Sequence, residues 1–238
     1  MLQNIECPVC FSYMTPPIHQ CTIGHSLCGD CFPKFNNCPT CCGPIQLTRN
    51  FSLEQVCQFI KYPCKYSTNN CPFISTSNGI RSHEKTCVYG SVKCPIEKCS
   101  WMNRHAKLVE HVQQEHKDAF LDLNNVTYII NPNEYENFTY VTTYNDDIFT
   151  LQFEYGDDDC WWCLQFLGSE EDASKYSLDL HLTSADRKEK IFVRKQCISF
   201  SCPEEVRDEA GILINTNMLK NIINDNTLSY TYRIVQTL

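Results

Sequence analysis

Cys7, Cys10, Cys21, His25, Cys28, Cys31, Cys38 and Cys41 place eight soft ligands within 35 residues, in four close pairs. Zinc takes four thiolate or imidazole ligands in a tetrahedron, and each close pair supplies two of them from one tight turn. Four pairs therefore make two zinc sites, built from neighbouring pairs in the simplest arrangement. A site closed by four protein ligands leaves no coordination position open, so these ions are scaffolds and not Lewis acids. Function must then sit on the surface they shape. So short a segment holds little apolar core, and structural zinc binding of roughly 10–16 kcal/mol per site supplies most of its folding free energy.

Two more ligand runs follow. Cys64-x6-Cys71-x11-His83-x3-Cys87 and Cys94-x4-Cys99-x11-His111-x4-His116 each place two ligands on a turn and two on a following helix. The x3 or x4 spacing brings the last pair onto one helical face. That makes four zinc ions per chain. His105 is a rival for the last site, but it lies too early in the helix of Leu108 and Val112 to pair well with His111. Cys160 and Cys163 invite a redox or metal reading, yet no partner ligands and no βαβ pattern surround them, and strand filler is the better account. The same account covers Cys197 and Cys202, and His181 falls on a polar face with no evident role.

Composition supports metal over disulfides. Fourteen of the 18 cysteines precede residue 100, and the N-terminus reaches Cys7 without the basic and apolar regions of a signal peptide. Reducing compartments keep thiols free for metals, which gives an expected cytoplasmic address, with the nucleus as a second. No apolar run approaches the 18 or more residues of a membrane span, so no membrane is expected. Residues 1–117 carry 11 Lys/Arg against 7 Asp/Glu, whereas residues 118–238 carry 9 against 21. Once thiolates and zinc are included the first half falls to about zero charge, leaving no basic face for nucleic acid.

The elements that must position these ligands follow from periodicity. Leu53, Val56, Cys57 and Ile60 have helical spacing over Ser52–Lys61, with Ser52 as N-cap and Cys57 in the core. From about Val126 the period changes to two. Phe149, Leu151, Phe153 and Tyr155 alternate with polar residues, as do Tyr176, Leu178, Leu180 and Leu182, and Leu228–Ile234 repeats the theme. Further strands are expected at 126–130, 138–143, 161–167 and 191–200, and Asn217 is expected to cap a short helix through Ile223. Seven or eight strands in about 115 residues favour a β-sandwich.

The ligand series, with CPVC, PPI, CPTC, YPCKY and Trp101 soon after Cys99, resembles the seven-in-absentia family of RING-type ubiquitin-protein ligases across essentially the whole chain. The resemblance implies an α+β multidomain protein: a zinc-stabilised RING at 1–45, a linker helix at 46–62, paired zinc fingers at 63–118 and a TRAF-like antiparallel β-sandwich at 119–238. It also implies cross-braced RING sites, with Cys7, Cys10, Cys28 and Cys31 on one zinc and Cys21, His25, Cys38 and Cys41 on the other. A ubiquitin-conjugating enzyme would dock on Val9, Phe35 and Pro39, although Phe35 has an equal reading as core filler. Protein substrates would enter the sandwich as an extended peptide near Leu121, Phe138 and Tyr140, which have an equal reading as core or edge-strand side chains. A homodimer, or a heterodimer with a relative, is the implied assembly.

One position departs from the family. A basic residue commonly follows the last RING ligand and clamps the conjugating enzyme to its thioester-linked ubiquitin; here that position is Cys42. A thiol cannot make the forked, charged hydrogen bonds of a guanidinium. Weak transfer, or a non-catalytic adaptor, is the alternative reading. Cys42 as a catalytic thiol lacks a neighbouring base.

Overall fold

The computed structural model describes residues 5–121, 125–129, 136–156, 158–224 and 226–237. Among them, no helix is long and apolar enough to cross a membrane. The chain divides into two compact units, Met1–Tyr89 and Gly90–Leu238. The boundary passes between the two zinc fingers.

In the first unit, β1 (Ile18–Cys21), β2 (Ser26–Cys28) and β3 (Ile45–Arg49) form a small antiparallel sheet in the order β2-β1-β3. The segment expected as linker therefore begins with a strand of the RING sheet. Helix α1 (Phe51–Phe59) follows, then β4 (Tyr62–Pro63), β5 (Ile74–Ser75) and α2 (Ser77–Lys85) of the first finger. Asn50, not Ser52, caps α1: its Oδ1 accepts from the Leu53 N–H at 3.0 Å, satisfying one of the helix's orphan donors. Its Nδ2 reaches Ser26 Oγ as well, which anchors the cap to the RING. Cys57 is fully buried as expected, but Val56 is exposed, because the inward face of α1 is set by Glu54 and Cys57. Ile5, Met14, Ile18 and Leu27 join the ligand cysteines, Tyr62 and Ile80 in one core shared by RING and finger.

In the second unit, β6 (Ser91–Lys93), β7 (Met102–Arg104) and α3 (Leu108–Glu115) form the second finger. The sandwich comprises β8 (Phe120–Leu121), β9 (Asn125–Ile129), β10 (Glu136–Tyr144), β11 (Asp147–Tyr155), β12 (Asp159–Phe166), α4 (Glu170–Ala173), β13 (Tyr176–Thr183), β14 (Lys190–Gln196), β15 (Ile198–Ser199), α5 (Glu204–Ala210), β16 (Ile212–Asn215), α6 (Thr216–Leu219) and β17 (Thr227–Gln236). One sheet runs β15-β12-β11-β10-β8 with β16 also on β12, and the other runs β14-β13-β17-β9. Pairing is antiparallel apart from β8 with β10 and β12 with β15. Inward residues of both sheets, among them Phe149, Phe153, Trp162, Leu178, Leu180, Tyr230 and Tyr232, make one core. On the outer face of the larger sheet, Val141, Ile148 and Leu167 pack with Leu108 and Val112 of α3. The second finger is thus seated on the sandwich.

Three expectations about local structure need correction. The strand expected at 191–200 is two: the chain leaves the smaller sheet after Gln196 and joins the larger at Ile198, turning at the buried Cys197, whose N–H donates to the Tyr176 carbonyl at 2.9 Å. The helix expected from Asn217 is shorter and begins at Thr216, because Asn215 is the cap and accepts from the Asn217 N–H. Finally, Ser177 and Asp179 are buried, although alternation puts them outside. The guanidinium of Arg194 on the adjacent strand covers Asp179, with Nε and Nη2 donating at 2.5 and 2.6 Å.

Candidate zinc centres and docking surfaces

Four groups of ligand atoms converge, each within 4.8 Å: Cys7, Cys10, Cys28, Cys31; Cys21, His25, Cys38, Cys41; Cys64, Cys71, His83, Cys87; and Cys94, Cys99, His111, His116. Hairpin β1–β2 explains the alternation in the RING. It brings Cys21 and Cys28 to opposite ends of one antiparallel pair, so the second and third ligand pairs must serve different sites.

Spacing tests whether zinc fits. With zinc–sulfur bonds of about 2.3 Å, tetrahedral edges are about 3.8 Å between sulfurs and about 3.5 Å from sulfur to nitrogen. The Sγ atoms of Cys10 and Cys28 lie 3.8 Å apart, those of Cys21 and Cys41 3.9 Å, and those of Cys64 and Cys87 3.8 Å. Sulfur to imidazole distances are 3.5 Å for Cys21 to His25 Nδ1, 3.3 Å for Cys71 to His83 Nε2 and 3.4 Å for Cys99 to His111 Nε2. His116 Nε2 is buried with no hydrogen-bond partner, an orphan that a metal bond would satisfy. All 18 cysteines are free thiols. The residues fit four zinc ions.

Local backbone prepares these thiols. Burial pushes the Cys21 thiol up, but the N–H groups of Ile23 and His25 and the side chains of His25 and Cys38 together bring it down to about 6. At Cys7, burial is likewise overcome, by N–H groups of Cys28, Cys10 and Val9, leaving it at about 7. Each RING site therefore holds one thiol that ionises readily, and zinc requires the thiolate.

In each finger an aromatic ring lies flat on the first histidine ligand: Phe73 on His83 at 4.0 Å, and Trp101 on His111 at 4.3 Å. This orienting role of Phe73 was not read from sequence, although an aromatic two residues past the second cysteine occurs in both runs. The last ligand of each finger sits past the helix, not on it: Thr86 is the C-cap before Cys87, and His116 is itself the C-cap of α3. His105 is not among the converging ligands of the second finger; its Nε2 lies 2.9 Å from the Leu167 carbonyl.

Around the RING, Val9 is half-buried against the core, Phe35 is half-buried outside that core, and Pro39 is exposed. Phe32 takes the core position instead, stacked on His19 at 3.9 Å. Cys42 is exposed at φ 57°, its N–H donating to the Cys38 carbonyl at 2.8 Å. In the sandwich, Phe138 and Tyr140 stack at 6.3 Å and line a cleft of about 490 Å³ with Pro95 and Ile96 of the second finger. Leu121 does not line it; that side chain packs at the fringe of the sandwich core. Cys160 and Cys163 are buried within β12, where burial pushes each thiol up to about 12. They are inert filler.

Comparison with known proteins agrees with this arrangement. A family model described as the RING finger of E3 ubiquitin-protein ligase sina/sinah matches residues 7–41, and one described as the Sina zinc finger matches residues 55–128. A rice relative named E3 ubiquitin-protein ligase DIS1 is 33% identical over 238 residues, covering 90% of this chain and 75% of that protein. The chain belongs to the seven-in-absentia family. An Arabidopsis member named E3 ubiquitin-protein ligase SINAT4 is 34% identical over 228 residues, covering 90% of this chain and 69% of its own length. A Caenorhabditis briggsae member named E3 ubiquitin-protein ligase siah-1 is 40% identical over 119 residues, 49% of this chain. The matched part takes in 27% of that nematode protein and 31% of a Schistosoma mansoni relative, less than a third of either length. The seven-in-absentia zinc-finger match runs across both fingers and into the first sandwich strands, through the Tyr89/Gly90 boundary.

Proposed function

We propose that this chain is a ubiquitin-protein ligase of the scaffold type. The RING binds a ubiquitin-conjugating enzyme at Val9, Phe35 and Pro39, and the cleft at Phe138 and Tyr140 takes an extended peptide of a protein substrate. Ubiquitin then passes from the conjugating enzyme to a substrate lysine, a catalysis of proximity and orientation with no nucleophile supplied by this chain. The observation that carries the reading is the alternating pair of closed zinc sites with Phe35 and Pro39 outside the core they organise. Closed metal sites and the buried, high-pKa thiols of β12 offer no chemistry of their own. Zinc supplies rigidity: it fixes the two RING loops that present Val9 and Pro39. A dimer, through homotypic contact or with a relative, would set two such scaffolds side by side.

The test is single-turnover discharge of ubiquitin from a panel of charged conjugating enzymes. Acceleration that is lost in Pro39→Ala, with zinc content kept, supports the reading; no acceleration from any enzyme of the panel sinks it. A second reading, a non-catalytic adaptor, is favoured by Cys42 alone. Its left-handed backbone already accepts a non-glycine side chain, so Cys42→Arg restores the missing guanidinium without changing backbone demand. A large gain in discharge supports the adaptor reading, and no change opposes it.

A further inference from the structure

We propose that a second, acidic cleft on the sandwich docks an extended lysine- or arginine-rich segment of a partner protein. This site goes beyond the ligase reading, and binding here does not depend on ubiquitin transfer. Its floor is a row of side chains running across the outer face of the larger sheet. Asn137 of β10 is paired with Glu154 of β11, Glu154 with Trp161 of β12, and Trp161 with Leu213 of β16. The cleft above this row holds about 710 Å³. Among the described residues, carboxylates of Glu154, Asp158, Asp159, Glu204 and Asp208 line it, against a single cation, Arg207.

Three observations define what fits. First, the carboxylates are spread out: among the described residues, groups of three or more ligand atoms within 4.8 Å occur only in the four Cys/His sets. The cleft therefore suits a string of side-chain cations and not one metal ion. Second, the floor is apolar between the acids at Leu213, which is 64% exposed, while Trp161 beneath is buried and covered by Arg207. Lysine and arginine bury aliphatic stems on such a floor while their charged heads reach the rim. Third, Arg207 already shows this pose within the chain. Its guanidinium lies 5.9 Å over the Trp161 ring and pairs with Glu204 and Asp208 at 3.0 and 3.1 Å. The cleft also meets the Phe138/Tyr140 cleft at Asn137, which lines both, so a basic stretch beside a bound substrate peptide would reach it.

The experiment uses the zinc-loaded full chain and a fluorescein-labelled nine-residue probe alternating lysine and valine, read by anisotropy. Saturable binding is expected, with none for the same probe carrying glutamate in place of lysine. Glu204→Lys should weaken binding about tenfold. Leu213→Ser, which alters no charge, should weaken it about threefold by removing apolar floor. Glu171→Lys, an exposed charge reversal on α4 outside the cleft, should leave it unchanged. Equal losses from Glu204→Lys and Glu171→Lys would mean diffuse attraction to an acidic chain and would overturn the proposal. So would absence of saturable binding at low ionic strength, or full affinity in Leu213→Ser.

Discussion

Arg49 holds Glu54 through two parallel hydrogen bonds, Nε to Oε1 at 2.9 Å and Nη2 to Oε2 at 2.6 Å. Oε1 also accepts from the Ile18 N–H at 2.8 Å, so one buried carboxylate ties α1 to both β1 and β3. Removing it leaves the Ile18 N–H without its partner inside the RING core. Glu54→Ala should therefore destabilise the chain by about 1–3 kcal/mol, seen as a lower thermal midpoint at unchanged zinc content. Glu54→Gln keeps an acceptor for Ile18 and should cost less.

The same carboxylate gives a pH signature. Hydrogen bonding from Arg49 holds its pKa below the ordinary carboxylate range, with burial opposing and the Ile18 N–H assisting. A group whose folded pKa is depressed contributes stability that is complete above its unfolded value, about 4.3 for glutamate, and is lost as pH falls through the folded value. The difference in urea midpoint between the native chain and Glu54→Gln should be constant from neutral pH to about pH 5.5 and shrink below about pH 4. A difference that grows in acid contradicts the assignment.

Metal analysis of the purified chain should return about four zinc ions, from the four closed ligand sets. His116→Ala removes the orphan nitrogen of the last set and should return about three. Because that finger packs on the sandwich through Leu108 and Val112, the loss should also loosen β10, read as faster amide exchange at Val141 and Thr142.

Gly211 lies against the Trp161 indole, where an added Cβ would stand 1.8 Å from Nε1. The indole is held in place by a bond from that nitrogen to the Asp208 carbonyl at 3.4 Å. Gly211→Ala must displace a buried ring, and should cost about 1–3 kcal/mol with a change in tryptophan fluorescence.

Thr142 links the core to β8: the Tyr232 hydroxyl donates to its Oγ1 at 3.2 Å, and Oγ1 donates to the Leu121 carbonyl at 2.8 Å. Thr142→Val keeps volume but breaks this chain, and should destabilise the sandwich by about 1–3 kcal/mol in urea unfolding.

The zinc ligands were legible because residue type and spacing together carry the chemistry, but spacing alone favours neighbouring pairs in the RING, and it is the alternating sets implied by the family resemblance that converge. The long strands were legible because apolar and polar residue types alternate along them, as in β11 and β13, even though β13 is buried on both faces over Tyr176–Leu180. What stayed hidden depended on partners distant in sequence. Asp179 reads as a surface residue until Arg194 arrives from the neighbouring strand. Asn50 and Ser52 are both competent caps, and Asn50 prevails in a position where its amide also reaches Ser26. The break between β14 and β15 follows Arg194, Lys195 and Gln196 with no Gly, Pro, Asn or Asp to mark a turn. β16 was missed because four residues are too few for a periodic signal.

That break at Cys197 has a mechanical meaning. One residue of backbone stitches the two sheets together, with β14 hydrogen-bonded to one and β15 to the other. An edge strand of the smaller sheet is usually the first piece to peel away, but here peeling would drag on a strand moored across the core. The two layers are bound to yield together, and the sandwich should come apart in one event.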